Sequence, residues 1–164
     1  MTFWDLVSLC ILVILALPVL LIVFDGDPTR RLQYLVVLIG ILVCEIIIKI
    51  TRIVLPKQGV FLRPSNAVNC SLYNRGGNYA GRVGMPSGHV ALTTFVLCSI
   101  LYIYKSNANH SPIVYVLVVL MIGLMCMSRY YRHCHNIPQI VMGFVLGILL
   151  TWIFVQFDKK RKSL

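Results

Sequence analysis

The chain has 164 residues, 59% of them hydrophobic, and a formal charge of +10. A soluble domain averages about 45–50% apolar residues; here the surplus is gathered into long uninterrupted runs, which excludes an ordinary water-soluble core and points to a bilayer. The basic residues lie in short segments between those runs and no nucleic-acid-binding module is visible, so the charge is read as meeting lipid headgroups and an anionic substrate, not nucleic acid.

Five spans are predicted, in a single membrane domain of residues 1–164. The first is Phe3–Phe24. It opens with Asp5 instead of a basic segment, and its apolar stretch exceeds the roughly 7–15 residues of a signal peptide, so it is read as an uncleaved helix that Pro18 would kink. Leu32–Leu55, Ser87–Tyr104, Pro112–Ser128 and Ile137–Phe157 follow. At ~1.5 Å per residue even the shorter spans approach the ~30 Å thickness of the hydrocarbon layer. The expected fold is therefore an all-α bundle of membrane helices. Cys10, Cys44, Cys98 and Cys126 fall inside the apolar runs and read as small buried hydrophobes.

Two polar segments remain, Pro56–Pro86 and Arg129–Asn136. Each follows an even-numbered span, so parity puts both on one membrane face. Arg63, Ser87, Gly88, His89, Arg129 and His135 thereby share a face. Lys159, Lys160, Arg161 and Lys162 fall on the other, with Arg30, Arg31 and Lys105: seven basic residues against six on the polar face (Lys57, Arg63, Arg75, Arg82, Arg129 and Arg132). Several of those six have a competing role as phosphate ligands, so the terminal run sets the orientation, with the C-terminus cytoplasmic and the site luminal or extracytoplasmic. Cys70 and Cys134 share the site's face, and a disulfide between them is open.

Pro86-Ser87-Gly88-His89 opens the third span, where first-turn N–H groups lack helical partners, the dipole is positive, and Gly88 admits a ligand close to the backbone. Such a helix start suits phosphate. His135-Asn136-Ile137-Pro138 opens the fifth span, with Asn136 as cap. Arg129 and Arg63 offer planar forks for phosphate oxygens. The cysteines, and the pair His133 and His135, lack the acidic or cysteine companions of a metal site, so no metal is expected and His133 is read as a rim residue. Tyr130 and Tyr131 read as interfacial aromatics.

Pro86-Ser87-Gly88-His89 followed by Ser128-Arg129-x5-His135 resembles the second and third motifs of the type 2 phosphatidic acid phosphatase superfamily, which includes bacterial acid phosphatases and vanadium haloperoxidases. Arg63-Pro64 resembles the end of the first motif, Lys-x6-Arg-Pro. The resemblance runs roughly from Glu45 to Gly147. It implies a hydrolase with no cofactor, in which His135 takes the phosphoryl group as phosphohistidine and His89 protonates the leaving oxygen. Arg63, Arg129, Ser87 and the Gly88 amide would hold the equatorial oxygens. Phosphoryl transfer asks for positioning and charge stabilisation, and imidazoles titrating near neutrality suit both histidine roles.

Two positions depart from the pattern. The motif's lysine should stand where Pro56 does. Lys57, one step late, is taken to fill it; Lys49 is the alternative if the loop carries an insertion, though Lys49 also pairs helically with Glu45. Where the family has His-x3-Asp, this chain has Gln139, which accepts the same hydrogen bond through its amide oxygen but adds no negative charge. That means either lost activity or a subfamily that uses glutamine. Ser128-Arg129-Tyr130-Tyr131, His135-x3-Gln139 and Gly84-Met85-Pro86-Ser87-x-His89 resemble dolichyl diphosphatases, so Gln139 is read as a subfamily mark.

The resemblance thus implies hydrolysis of a polyprenyl (dolichyl-type) diphosphate to the monophosphate, in the endoplasmic reticulum or an equivalent membrane. A phosphatase for phosphatidate or a related glycerolipid is the alternative; a catalytically inactive member that binds lipid or packs in a membrane assembly is another. The site is expected at the mouth between spans three, four and five. Gly76, Gly77, Gly81 and Gly84 would give the long loop the freedom to close over substrate. Arg75 and Arg82 either reach a diphosphate or stay solvated. No oligomeric state follows.

Overall fold

The computed structural model describes residues 2–105 and 111–163. Among the described residues five helices form, α1 (Phe3–Phe24), α2 (Pro28–Val54), α3 (Gly88–Lys105), α4 (Pro112–Tyr131) and α5 (Ile137–Lys162), with a 3₁₀ turn at Gly59–Phe61. All five helices are long and apolar enough to cross a bilayer. The expected all-α membrane bundle is what forms; among the described residues β-structure is limited to the isolated bridges Leu62–Val83 and Val68–Asn78 in the long loop.

The helix ends differ from the apolar runs for local reasons. α2 begins at Pro28, not Leu32, because Asp27 accepts from the Thr29 N–H at 2.8 Å and Pro28 presets the first helical φ. α5 runs past Phe157 to Lys162, since the cations Lys159, Lys160, Arg161 and Lys162 complement the negative end of the helix dipole. α4 extends through Arg129 to Tyr131. α1 carries Pro18 within an unbroken helix and starts with a capping box between Thr2 and Asp5.

α3 is the axis of the bundle: 56% of its span is buried, against 22–28% in the other four. The exposed faces of those four carry apolar residues such as Val13, Ile39, Val119 and Leu149, the residues a bilayer solvates. α5 lies close against α3 because Gly143 and Gly147 face it. A Cβ there would sit 2.5 Å from the Ser87 carbonyl oxygen and 2.7 Å from that of Ala91, so only a small residue permits this backbone approach. The contact sets the start of α3 beside that of α5, where the Ser87 N–H donates to the Gln139 carbonyl at 2.9 Å.

At the far end, Asp158 of α5 is buried and accepts from Gln33 of α2 (2.8 Å) and Tyr102 of α3 (3.1 Å). Arg161 and Lys162 close ion pairs on it at 2.8 Å each. At the site's end, Asp5 pairs with Arg132 at 2.8 Å and the Trp4 ring stacks on Tyr131. The start of α1 therefore lies with the Arg129–Asn136 connection, as the parity argument requires.

Candidate active site

A cavity of ≈ 350 Å³ opens among Glu45 and Arg52 of α2, His89 of α3, Arg63 and Tyr79 of the long loop, and His135. Its floor is apolar, from Leu15, Ile41, Ile48 and Leu92. The walls therefore come from α1, α2, α3 and the loop, which corrects the expected mouth between spans three, four and five. No lining residue belongs to α4 or α5; the connection between them supplies His135. The two histidines singled out in the sequence share this cavity.

His135 sits just before α5 and is 2% exposed. Its Nδ1 lies 3.0 Å from Gln139 Oε1. The Gln139 Nε2 donates to the carbonyls of Val60 (3.0 Å) and Leu62 (2.8 Å), so the amide oxygen must face the imidazole. This assigns the hydrogen to Nδ1 and leaves the lone pair on Nε2, which faces Arg63 Nη1 at 3.3 Å. Burial, then the charges of Arg63, Arg129 and Arg52, hold the imidazole well below its ordinary value, and the Gln139 hydrogen bond opposes them only in part. His135 is thus neutral near pH 7, with a free ring nitrogen turned to the guanidinium.

Arg63 is buried and donates to the Cys134 carbonyl at 2.9 Å. Its guanidinium lies over the Tyr79 ring at 5.3 Å, and that of Arg82 at 5.0 Å. Burial, then the Arg52 charge, push Arg63 down to about 10, still cationic at neutral pH. Gly84 makes room for it: a Cβ there would meet both Arg63 Cγ and Gln139 Oε1 at 2.6 Å. Gly84 is thus a packing requirement and not part of a flexible hinge, while Gly76, Gly77 and Gly81 hold turns with positive φ.

Arg129 is fully buried at the end of α4. Nη1 donates to Ser8 Oγ of α1 at 2.6 Å and Nη2 to the Cys70 carbonyl at 3.0 Å. Cys70 and Cys134 are joined in a disulfide. Ser8 also accepts from Arg132 Nη1 (3.1 Å) and donates to Asn74 Oδ1 (3.0 Å). Nothing in an apolar run marks such a serine; only its place one helical turn from Asp5 hints at a polar stripe. Ser87 is fully buried, and Gly88 is the first residue of α3 and lines the cavity.

Among the described residues, Arg52 Nε, Arg63 Nε and His89 Nε2, on residues that line the cavity, are buried without a hydrogen-bond partner, as are Ser87 Oγ and Arg129 Nε on residues outside its lining. A buried polar group left unmatched costs about 1–3 kcal/mol, and the three on the cavity wall are groups that a ligand bearing oxygens could satisfy.

Lys57 is exposed on the loop and outside the cavity, and Lys49 is exposed on α2. Among the described residues Lys49 forms no ion pair with Glu45, which turns to the cavity. The basic group that α2 supplies is Arg52, whose Nη2 donates to the Pro86 carbonyl at 2.9 Å. Counting back from Arg-Pro missed it; the helical phase of Glu45, Ile48 and Arg52 is the signal that finds it. His133 is exposed in a left-handed turn with φ 52° and lines a separate hollow with Tyr130 and Tyr131 on the other side of His135. Arg75 is exposed.

The sequence profile of the PAP2 superfamily matches residues 9–163. Over 81 residues the chain is 31% identical to phosphatidylglycerophosphatase B of Bacillus subtilis (strain 168), a match that covers 47% of this chain and 40% of that protein. The chain therefore aligns with less than half the length of this curated relative. No solved structure matches it.

Proposed function

The chain belongs to the PAP2 superfamily, and from that premise we propose that it is a membrane lipid phosphatase acting through a phosphohistidine on His135. The observation that carries this reading is the meeting of His89, His135, Arg52 and Arg63 in one cavity, with Arg63 Nη1 3.3 Å from the free His135 Nε2. Guanidinium groups and the start of α3 meet the charge of the transferring group. His135 Nε2 attacks phosphorus, the bond from phosphorus to the leaving oxygen breaks, and His89 passes a proton to that oxygen. Water then attacks the phosphohistidine, His89 takes a proton from it, and inorganic phosphate leaves with His135 restored. Gln139 holds the Nδ1–H tautomer throughout.

The apolar floor of Leu15, Ile41, Ile48 and Leu92 fits a substrate whose phosphate carries a hydrocarbon tail. The glutamine at position 139 and the Gly-Met-Pro-Ser segment favour a polyprenyl diphosphate, hydrolysed to the monophosphate. The name of the Bacillus subtilis relative favours a glycerolipid phosphate instead. We place the site on the luminal or extracytoplasmic face of the endoplasmic reticulum or an equivalent membrane; the disulfide fits an oxidising side.

Purified protein in mixed micelles, offered dolichyl diphosphate, phosphatidylglycerophosphate and phosphatidate in competition, tests the reading. The diphosphate is expected to be consumed first. Preference for either glycerolipid selects the second reading, and phosphate release from none of the three removes both.

A further inference from the structure

The two arginines that flank His135 are each held by the opposite half of one disulfide. Arg63 comes from the long loop and donates to the carbonyl of Cys134, in the connection between α4 and α5. Arg129 comes from α4 and donates to the carbonyl of Cys70, in the long loop. Cys70 and Cys134 are bonded to each other and form, with Ala67 and Tyr79, a small core separate from that of the helix bundle. We propose that the Cys70–Cys134 disulfide is a positioning brace for the anion-binding arginines, so that phosphate binding at this site depends on the oxidised bond. The inference rests on the phosphatase reading for its substrate, though not for its geometry.

Other contacts secure the loop. Asn136 and Gln139 hold the Val60 and Leu62 carbonyls, and Asn74 Nδ2 donates to the Asp5 carbonyl while its Oδ1 accepts from Arg132. Breaking the disulfide therefore leaves the loop in place, and the turn keeps its backbone bonds from the Cys134 N–H (3.1 Å) and His135 N–H (3.2 Å) to the Arg129 carbonyl; what is lost is the covalent link that fixes the Cys70 and Cys134 carbonyls relative to each other. Those two carbonyls set the direction of both guanidinium forks. Ser8 remains as a second holder of Arg129, so grip on the anion is weakened and not abolished.

The test compares oxidised wild type, wild type treated with a phosphine reductant, and the double variant Cys70→Ser/Cys134→Ser, with mass-tagging of free thiols to report the state of the bond. Binding of inorganic phosphate is measured by calorimetry, and KM and kcat on the lipid phosphate by turnover. Loss of the bond is expected to raise the phosphate dissociation constant and KM about tenfold, with a smaller change in kcat, and the double variant should be indifferent to reductant. A second readout separates bracing from general loosening. Adding Ser8→Ala to the double variant removes one holder of Arg129 and leaves the other, the residue 70 carbonyl, without its brace, so the combined loss of phosphate affinity should exceed the product of the separate losses. Phosphate affinity within about twofold of wild type after verified loss of the bond overturns the brace, as does strict independence of Ser8 and the disulfide. Should the double variant fail to fold, the reduced wild type decides. A protein that binds phosphate but releases none from lipid refutes the phosphatase reading, and the brace then stands or falls on the calorimetry.

Discussion

At the scale of single residues, Gln139 does two things at once. Its amide oxygen orients His135, and its amide nitrogen ties down Val60 and Leu62 beside the 3₁₀ turn. A carboxylate has no N–H for those carbonyls, so the aspartate of the family pattern would leave them to Asn136 Nδ2 alone, at 2.9 and 3.4 Å. Gln139→Glu keeps the size and the acceptor but loses both donors. It should lower kcat/KM by about a hundredfold and lower the thermal midpoint, both read on the purified protein. The pH dependence follows from the burial of His135 and then from the charges of Arg63, Arg129 and Arg52 that face it. A histidine held below its ordinary value of about 6.5 stays deprotonated as pH falls through that value. The acid limb of kcat/KM, corrected for titration of the substrate, is therefore expected below pH ~6.5; a limb above it would mean that the charges do not act on the nucleophile.

The motif residues of this site were legible in the sequence because each depends on local context. His89 opens a helix, His135 precedes one, and Arg129 ends one. Arg52, Ser8 and Gly84 were not, because their meaning is tertiary. Arg52 depends on which face of α2 turns inward, Ser8 on α1 reaching the end of α4, and Gly84 on the passage of Arg63 and Gln139 so close that a Cβ would clash with both. Lys57 illustrates the complementary error, since its spacing to Arg63 counts residues along a loop that does not keep step with a helix.

At the scale of elements, the five spans were readable from apolar runs, whereas their ends were not. Hydropathy cannot see the Asp27 cap or the basic last turn of α5. The order of burial was hidden too: α3 is the central helix although its hydropathy of 1.3 is the lowest of the five, since a helix surrounded by protein can carry Thr93, Thr94 and Ser99 where a lipid-facing one avoids them. Asp158 gathers α2, α3 and α5 at the end remote from the site. Asp158→Ala leaves the buried Gln33 amide and two cations unmatched. It should cost about 2 kcal/mol of stability, discounted because Arg161 and Lys162 are partly exposed. Unfolding in detergent measures that cost, while activity per folded molecule should stay at the wild-type level.

At the scale of the whole molecule, a bundle with lipid-facing apolar sides concentrates its polar chemistry at its two ends. One end closes on Asp158, where carboxylate, amide and cations satisfy one another. At the other, among the described residues, the Nε atoms of Arg52, Arg63 and Arg129, Ser87 Oγ and His89 Nε2 are buried without partners. The neutral, oriented His135 lies at this second end and is the nucleophile we propose. Rapid quench of turnover on a radiolabelled lipid phosphate, followed by peptide mapping, tests it most directly. The prediction is an acid-labile, base-stable phosphoryl group on His135 that forms and decays at the rate of turnover and is absent, with activity, from His135→Ala. Turnover without a covalent intermediate, or a label on His89 instead, would contradict it.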